Sequence, residues 1–315
     1  MDPDASAFHQ PVLLAEVVEL LAPERGGLFV DATLGLGGHA EALLEAGREL
    51  RLLGIDQDPQ ALELAARRLA RFGERVRLVA GNFRHLGELV AGARWGAPAG
   101  ILADLGVSSL QLERGERGFS FRRDGPLDMR MGAVGKTAAD VVNTYSEAAL
   151  AEIFQEFGEE RESKRVARAL VARRKVAPFA TSAELAETVR RAKRFDHPGP
   201  GREGRIDAAT RVFQALRIEV NQELAALPEM LDEAVRLLSA EGRLVVISYH
   251  SLEDRIVKHT LRDLARGEVD EVTGRPRAET QLIEVLTRNP VRPSEEEMLA
   301  NPRSRSARLR AARRL

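Results

Sequence analysis

The chain has 315 residues, enough to bury a full core and to hold one large domain or two. It is 44% hydrophobic and 30% charged, has a net charge of −1 and contains no cysteine, which excludes disulfides, thiolate metal sites and cysteine nucleophiles. No apolar run reaches the roughly 18 residues that span a bilayer, and the acidic, polar stretch Met1–Gln10 does not read as a secretory signal, so a cytoplasmic protein without a membrane partner is expected.

Apolar residues at Val12, Leu13, Val17, Leu20 and Leu21 predict a helix over Pro11–Ala22. A short strand, Leu28–Asp31, leads into Asp31-Ala-Thr-Leu-Gly-Leu-Gly-Gly-His39, and a helix then runs to about Gly47. Strand, glycine turn and helix together let backbone N–H groups approach a nucleotide-like ligand with no Cβ in the way. Gly35, Gly37 and Ala40 also satisfy G-x-G-x-x-G/A, a pattern that several ligand classes share. The second strand is Leu50–Asp56. Asp58-Pro59 then supplies a side-chain cap followed by proline at the first helical position. Strands three and four are read at Arg75–Ala80 and Gly100–Asp104. Strands alternating with helices predict a parallel sheet covered on both faces.

From about Ser108 to Arg211 no strand is predicted. Phe119–Met131 reads as a structured loop, Ala138–Phe157, Glu162–Lys175 and Ser182–Arg194 as helices, and Phe195–Gly204 as a loop. Helices around Arg211–Leu227 and Pro228–Ala240 lead back to strands at Arg243–Ser248, Gln281–Leu286 and Arg308–Arg313, with a helix over Leu252–Ala265. The predicted fold class is α/β, with a helical module (residues 108–211) inserted into a discontinuous sheet domain (1–107 and 212–315).

Asp56 ends strand two, 21 residues after Gly35, where a carboxylate can accept both ribose hydroxyls of an adenosine. The plainer reading of Asp56 is a capping residue for the helix that follows. Three features favour S-adenosylmethionine over a nicotinamide cofactor. Asp31 and Asp104 end parallel strands, at the sheet edge where ligands bind. Phe83 follows strand three, where an apolar ring can cover an adenine; taken singly it also reads as a core residue. No tyrosine-lysine or histidine pair of a hydride-transfer site stands out. The six histidines show no metal-ligand spacing, so no metal is expected.

Charge is unevenly distributed. Residues 161–217 hold 15 Lys/Arg against 6 Asp/Glu, a local +9 in a chain of net charge −1, and Arg303–Leu315 adds six arginines and no acid. The plain reading is solvated helix faces; two basic segments also fit a polyanionic partner. The residues alone support an adenosine-cofactor enzyme with an anionic partner. An NAD-dependent oxidoreductase stands beside it, as does a nonenzymatic factor that uses the pocket only as a ligand sensor.

A family resemblance rests on particular runs: Thr33-Leu-Gly-Leu-Gly-Gly-His39, Leu102-Ala-Asp-Leu-Gly-Val-Ser-Ser109, Glu116–Phe121, Asp124-Gly-Pro-Leu-Asp-Met-Arg-Met131, Gly158-Glu-Glu-Arg161, Ser248-Tyr-His-Ser-Leu-Glu-Asp-Arg255 and Asn301-Pro-Arg-Ser-Arg-Ser306. Together they resemble the bacterial ribosomal small-subunit RNA cytosine-N4 methyltransferases (the MraW/RsmH type), over nearly the whole chain. The resemblance implies a class I, Rossmann-like methyltransferase sheet with an inserted all-helical domain. It implies S-adenosyl-L-methionine held by Gly37, Gly38, His39, Asp56, Phe83, Asp104 and Gln111. It further implies a 16S ribosomal RNA or small-subunit partner; oligomeric state stays open, a homodimer included. Departures fall in two loops, glycine-rich Gly199–Gly204 and a short Arg266–Glu279.

The implied reaction is in-line transfer of a sulfonium methyl to the exocyclic N4 of a cytosine. Positioning supplies much of the rate, and an acceptor for the amine N–H is needed because the nitrogen lone pair is delocalised into the ring. DNA N4-amine methyltransferases carry a Ser/Asp-Pro-Pro-aromatic motif after strand four. Here that place reads Asp104-Leu-Gly-Val-Ser-Ser109, without prolines. Asp104, or a backbone carbonyl at Leu105–Val107, is the candidate acceptor; the alternative for Asp104 is a cofactor ligand only. Tyr249 and His250 follow strand five on the same edge, as candidates to stack on and hydrogen-bond a flipped base. Their alternative is a loop fixed by Ser251 capping the next helix, with Glu253 and Asp254 favouring that helix's N-terminus. Asp128, Arg130 and the basic segments are read as parts of the RNA cleft.

Overall fold

The computed structural model describes residues 11–132, 134–193, 207–268, 270, 275 and 277–315. Among these, seven strands form one sheet: β1 (Gly27–Asp31), β2 (Leu50–Asp56), β3 (Val76–Ala80), β4 (Pro98–Asp104), β5 (Arg243–Ser248), β6 (Ile283–Val285) and β7 (Arg308–Arg314). Their order is β3-β2-β1-β4-β5-β7-β6. β3, β2, β1, β4 and β5 are parallel, and β7 runs antiparallel between β5 and β6. This is the expected class I methyltransferase sheet.

The chain divides into two units, one running to Gly106 and resuming at Leu224, the other spanning Val107–Glu223. In the sheet unit the side-chain period of two sends alternate residues to opposite faces. Leu28, Val30, Leu53, Ile55, Ile101, Ala103, Leu244 and Val246 pack with helices α4 (Leu86–Ala93), α11 (Glu223–Leu237) and α12 (Ser251–Arg266). Phe29, Leu50, Leu52, Leu102, Val245 and Ile247 pack with α1 (Leu14–Leu21), α2 (Gly38–Ala46) and α3 (Pro59–Leu69) on the other face. β1, β2, β4 and β5 are therefore buried on both sides, and this is why they read as nearly continuous apolar runs.

The Val107–Glu223 unit has its own core, built from α5 (Ser109–Glu113), α6 (Ala138–Thr144), α7 (Glu147–Glu156), α8 (Ser163–Arg174), α9 (Ser182–Ala192) and α10 (Thr210–Asn221) with the loop through Leu127, Met129 and Met131. The return to the sheet comes at 223/224 rather than 211/212. The apolar face of α10 (Val212, Phe213, Ala215, Leu216) belongs to the helical core.

Three helix expectations are corrected. Ala138–Phe157 is two helices, because Tyr145 is extended and Ser146 caps α7 by accepting the Ala149 N–H. Pro228 does not start a helix but lies inside α11. It sits on that helix's exposed face, where water can replace the hydrogen bond that proline removes. The break comes instead at left-handed Gln222. Lastly, Leu13, read as helical, is the left-handed residue that precedes α1. Of the remaining expectations, Met1–Gln10, the loop 195–204 and part of 266–279 lie outside the described residues. No helix among the described residues is long and apolar enough to cross a membrane. Helix α13 (Glu295–Ala300) precedes β7.

Candidate active site

Three adjacent parallel strands end in aspartate: Asp31 on β1, Asp56 on β2 and Asp104 on β4. β1 and β4 are the pair at which the strand order reverses, the place where open α/β sheets bind ligands. Asp31 is 2% exposed. Burial pushes its carboxyl up to about 7; the Thr33 N–H pulls it down, and the charges of Asp104 and Asp56 push it up. Asp56 is also raised by burial, against hydrogen bonds from the Asp58 and Gly35 N–H groups. Among the described residues, no cationic side chain forms an ion pair with Asp31 or Asp56. A buried acidic edge lacking its own cation suits a cationic ligand, and S-adenosylmethionine carries both a sulfonium and an ammonium group.

The glycine turn lies directly against this edge. Asp56 Oδ2 accepts the Gly35 N–H at 2.8 Å and Oδ1 accepts the Asp58 N–H at 2.8 Å. Asp56 thus braces the turn, while Asp58 caps α3 by accepting the Gln60 N–H. Gly37 precedes α2 at φ +77°, a left-handed conformation that glycine adopts without strain. Gly38 is needed for a different reason: a Cβ there would fall 2.5 Å from Pro11 Cγ.

His39 stands in the first turn of α2 and is buried. Its Nε2 bonds the Val12 carbonyl at 2.9 Å, and its Nδ1 lies 3.7 Å from Asp104 Oδ2. On the other side, Asp104 Oδ1 accepts the Tyr249 hydroxyl at 2.8 Å. The Asp104 amide donates to Thr33 Oγ1 at 2.6 Å. His39, Asp104 and Tyr249 therefore form one line, gathered from α2, β4 and the end of β5. Burial raises the Asp104 carboxyl, while His39 and the Tyr249 hydroxyl oppose that rise. Burial, followed by the Asp104 charge, holds the Tyr249 phenol well above its ordinary range. Tyr249 is thus a fixed donor, and Asp104 an acceptor with strand-end geometry.

Glu253, expected from the sequence only to favour the N-terminus of α12, also braces the loop before it. This carboxylate is 2% exposed, and its Oε2 accepts both the Tyr249 N–H (2.8 Å) and the His250 N–H (3.2 Å). His250, rather than Ser251, is the cap of α12, its ring accepting the Glu253 N–H at 3.4 Å. Its Nε2 lies 3.0 Å from Glu253 Oε1 without hydrogen-bond alignment. The signal was a glutamate three residues after a polar residue at a helix start, the capping-box spacing.

Phe83 opens a 3-10 turn after β3, half-buried against one face of the sheet. Gln111 lies in the helical unit, buried, with its side-chain oxygen accepting the Ser108 N–H in the capping box of α5. In that same unit, Arg130 clamps Asp128 through two bonds, of 2.8 and 2.7 Å. The basic tail serves the fold more than a ligand. Arg308 and Arg310 both bond Asp254 at the start of α12, Arg313 pairs with Glu241 and Glu284, and Arg314 bonds the Leu282 carbonyl.

Comparison with known proteins finds relatives over nearly the whole chain. The model of the MraW methylase family matches residues 6–315. A ribosomal RNA small subunit methyltransferase H of Methylorubrum extorquens is 49% identical over 313 residues, covering 98% of this chain and 87% of that protein. The protein of that name from Acidiphilium cryptum is 49% identical over 313 residues, with 98% and 97% covered. Its counterpart in Geotalea uraniireducens is 48% identical over 316 residues, with 98% and 100% covered.

Proposed function

The chain belongs to the MraW methylase family, and from that footing we propose that it transfers a methyl group from S-adenosylmethionine to the exocyclic N4 of a cytosine in small-subunit ribosomal RNA, in the decoding region and in the cytoplasm. Membership favours this reading over a nicotinamide-dependent oxidoreductase and over a nonenzymatic assembly factor. The observation that carries the chemistry is the His39–Asp104–Tyr249 line at the carboxyl edge of the sheet.

When bound, S-adenosylmethionine supplies a methyl group on an activated sulfonium. Gly37, Gly38 and His39 would hold it at the turn, Asp56 would accept its ribose hydroxyls, and Phe83 would cover its adenine. Asp31 and Asp104 supply negative charge, and Gln111 is assigned to the cofactor by family resemblance. Asp104 accepts an N–H of the cytosine amine, helping the nitrogen to pyramidalise and taking its proton. Tyr249 fixes the Asp104 carboxylate through its hydroxyl, and its ring is the stacking candidate for a flipped base. His250 stands beside it, held by Glu253, as the candidate base contact.

The helical unit is proposed to hold the RNA. Arg161, Lys164, Arg165 and Arg168 are exposed at the start of and along α8, while Val166, Ala167 and Leu170 face the core. Two of them pair with Glu162 and Glu147 at the surface; exposed pairs of this kind are weak enough to open towards phosphate.

The test is to incubate the protein with methyl-labelled cofactor and ribosomal particles at successive assembly stages, and then to map the modified nucleoside. Label in N4-methylcytidine of the small-subunit RNA is expected. Label on another atom, or none with any particle, overturns the proposal.

A further inference from the structure

The segment just before α1 has an unusual conformation. Leu13 is wholly buried, yet its backbone is left-handed at φ 54° and ψ 38°. For a branched side chain that conformation is disfavoured and persists only where its surroundings enforce it. Here they do so on both sides. The Leu13 N–H donates to Glu297 Oε1 at 2.8 Å, and its carbonyl accepts the Val17 N–H at 2.9 Å. Glu297 stands in the first turn of α13, itself capped by Ser294.

What Leu13 holds in place is a strap across the glycine turn. The Val12 carbonyl receives His39 Nε2 at 2.9 Å. Pro11 occupies the space that a side chain on Gly38 would take. The strap thus lies on the first turn of α2, at the residues read as the cofactor's contact edge. Glu297 also reaches the far end of the same line of side chains, since its charge is felt at the Tyr249 phenol. Nothing in the reaction itself requires Glu297, and no sequence motif marked it.

We propose that Glu297 is a positioning residue of the cofactor seat: it holds the Leu13 amide, keeps the Pro11–Leu13 strap down on Gly38, and through the Val12 carbonyl fixes His39 with Nε2 turned to the strap and Nδ1 turned to Asp104. The inference rests on reading the glycine turn as the seat of S-adenosylmethionine. Its consequence is that a residue on a surface helix near the end of the sequence sets how firmly the cofactor is retained, without touching it.

The experiment measures cofactor affinity by calorimetry, and KM and kcat with RNA substrate, for the unsubstituted protein, Glu297→Ala, Glu297→Gln and Pro11→Gly. Removing a charged acceptor from a buried amide should raise the Kd and KM for cofactor about tenfold or more in Glu297→Ala. The kcat at saturating cofactor should fall by a smaller factor than the affinity, because the Asp104–Tyr249 bond is untouched and only the His39 side of the line is loosened. Glu297→Gln keeps the Oε1 acceptor and should recover most of the affinity. A merely structural glutamate would lower the melting temperature without this split between KM and kcat. Pro11→Gly loosens the strap from its other end and should weaken cofactor binding in the same direction, whether or not Glu297→Ala folds. Unchanged affinity in Pro11→Gly, or in a folded Glu297→Ala, overturns the inference. Failure of the unsubstituted protein to bind S-adenosylmethionine would instead sink the reading of the seat, and the inference with it.

Discussion

The Tyr249 hydroxyl meets Asp104 Oδ1 at 2.8 Å, between the carboxyl ends of two neighbouring parallel strands. This bond fixes the direction of the one carboxylate that also faces His39. Replacing Asp104 by Ala is expected to lower single-turnover methyl transfer at saturating cofactor by at least about a hundredfold. A rate close to that of the unsubstituted protein would refute the assignment. Tyr249→Phe removes one of the groups that oppose the upward shift of the Asp104 carboxyl. If transfer needs ionised Asp104, the acidic limb of the rate profile should move to higher pH in that variant, and a stationary limb would count against it.

Asp31 gives a second handle, through pH. Its carboxyl is raised from 3.8 to about 7 in the folded chain, chiefly by burial. The unfolded chain therefore loses this proton first. Stability from this group is fully present below about pH 4 and is lost as pH rises to about 7, where it levels out. Asp31→Asn should flatten that limb, a change on the order of 4 kcal/mol at most. A bound cation favours the ionised form, so cofactor affinity should rise with pH up to about 7, with proton release on binding. Calorimetry in buffers of different ionisation enthalpy reads that proton directly; observed heats that are the same in every buffer, before any buffer correction, would contradict it.

Gly38 tests the contact between turn and strap. A Cβ at this position would lie 2.5 Å from Pro11 Cγ, so ring or backbone must shift. Gly38→Ala should cost roughly 1–3 kcal/mol in chemical unfolding, in the range of an overpacked site. Adding Pro11→Ala should restore part of that loss. If the two costs simply add, the contact is not the cause.

The basic residues divide into two groups that different measurements separate. Arg310 and Asp254 are both buried and bonded at 2.7 Å. Arg310→Ala should destabilise the fold by about 3 kcal/mol, because Asp254 is left with a weakened partner set. Lys164→Glu on exposed α8 should leave unfolding unchanged and weaken RNA binding. It should also flatten the plot of log affinity against log salt by about 0.7 or more for each phosphate no longer neutralised. RNA affinity unchanged at low salt would remove α8 from the interface.

The frame of this fold was legible because its signals are local. β2 and β5 were read to the residue, since strands buried on both faces appear as nearly continuous apolar runs ended by aspartate or serine. The three carboxylates of the edge were legible for the same reason, as the last residues of such runs. Pro228 misled because local punctuation was overridden by the packing of Met230, Leu231, Ala234 and Val235 against the sheet. The tail arginines misled because the acids they meet, Asp254, Glu241 and Glu284, lie far away in sequence. Glu297 and Leu13 are 284 residues apart, and no periodicity links such a pair.

The position of the helical unit within the chain also shapes how the protein folds. Val107–Glu223 is continuous in sequence and has its own core, so it can close through comparatively local contacts. The sheet unit is split around it. β4 cannot pair with β5 until those two halves meet, and β7 must enter between β5 and β6. Refolding should therefore show early amide protection in α7 and α8 and late protection in β5 and β7, by pulsed hydrogen exchange. The edge that gathers Asp31, Asp104 and Tyr249 belongs to the slow half, so a chain whose helices have already formed still lacks the site, and is for a time a finished helical unit attached to an unfinished sheet.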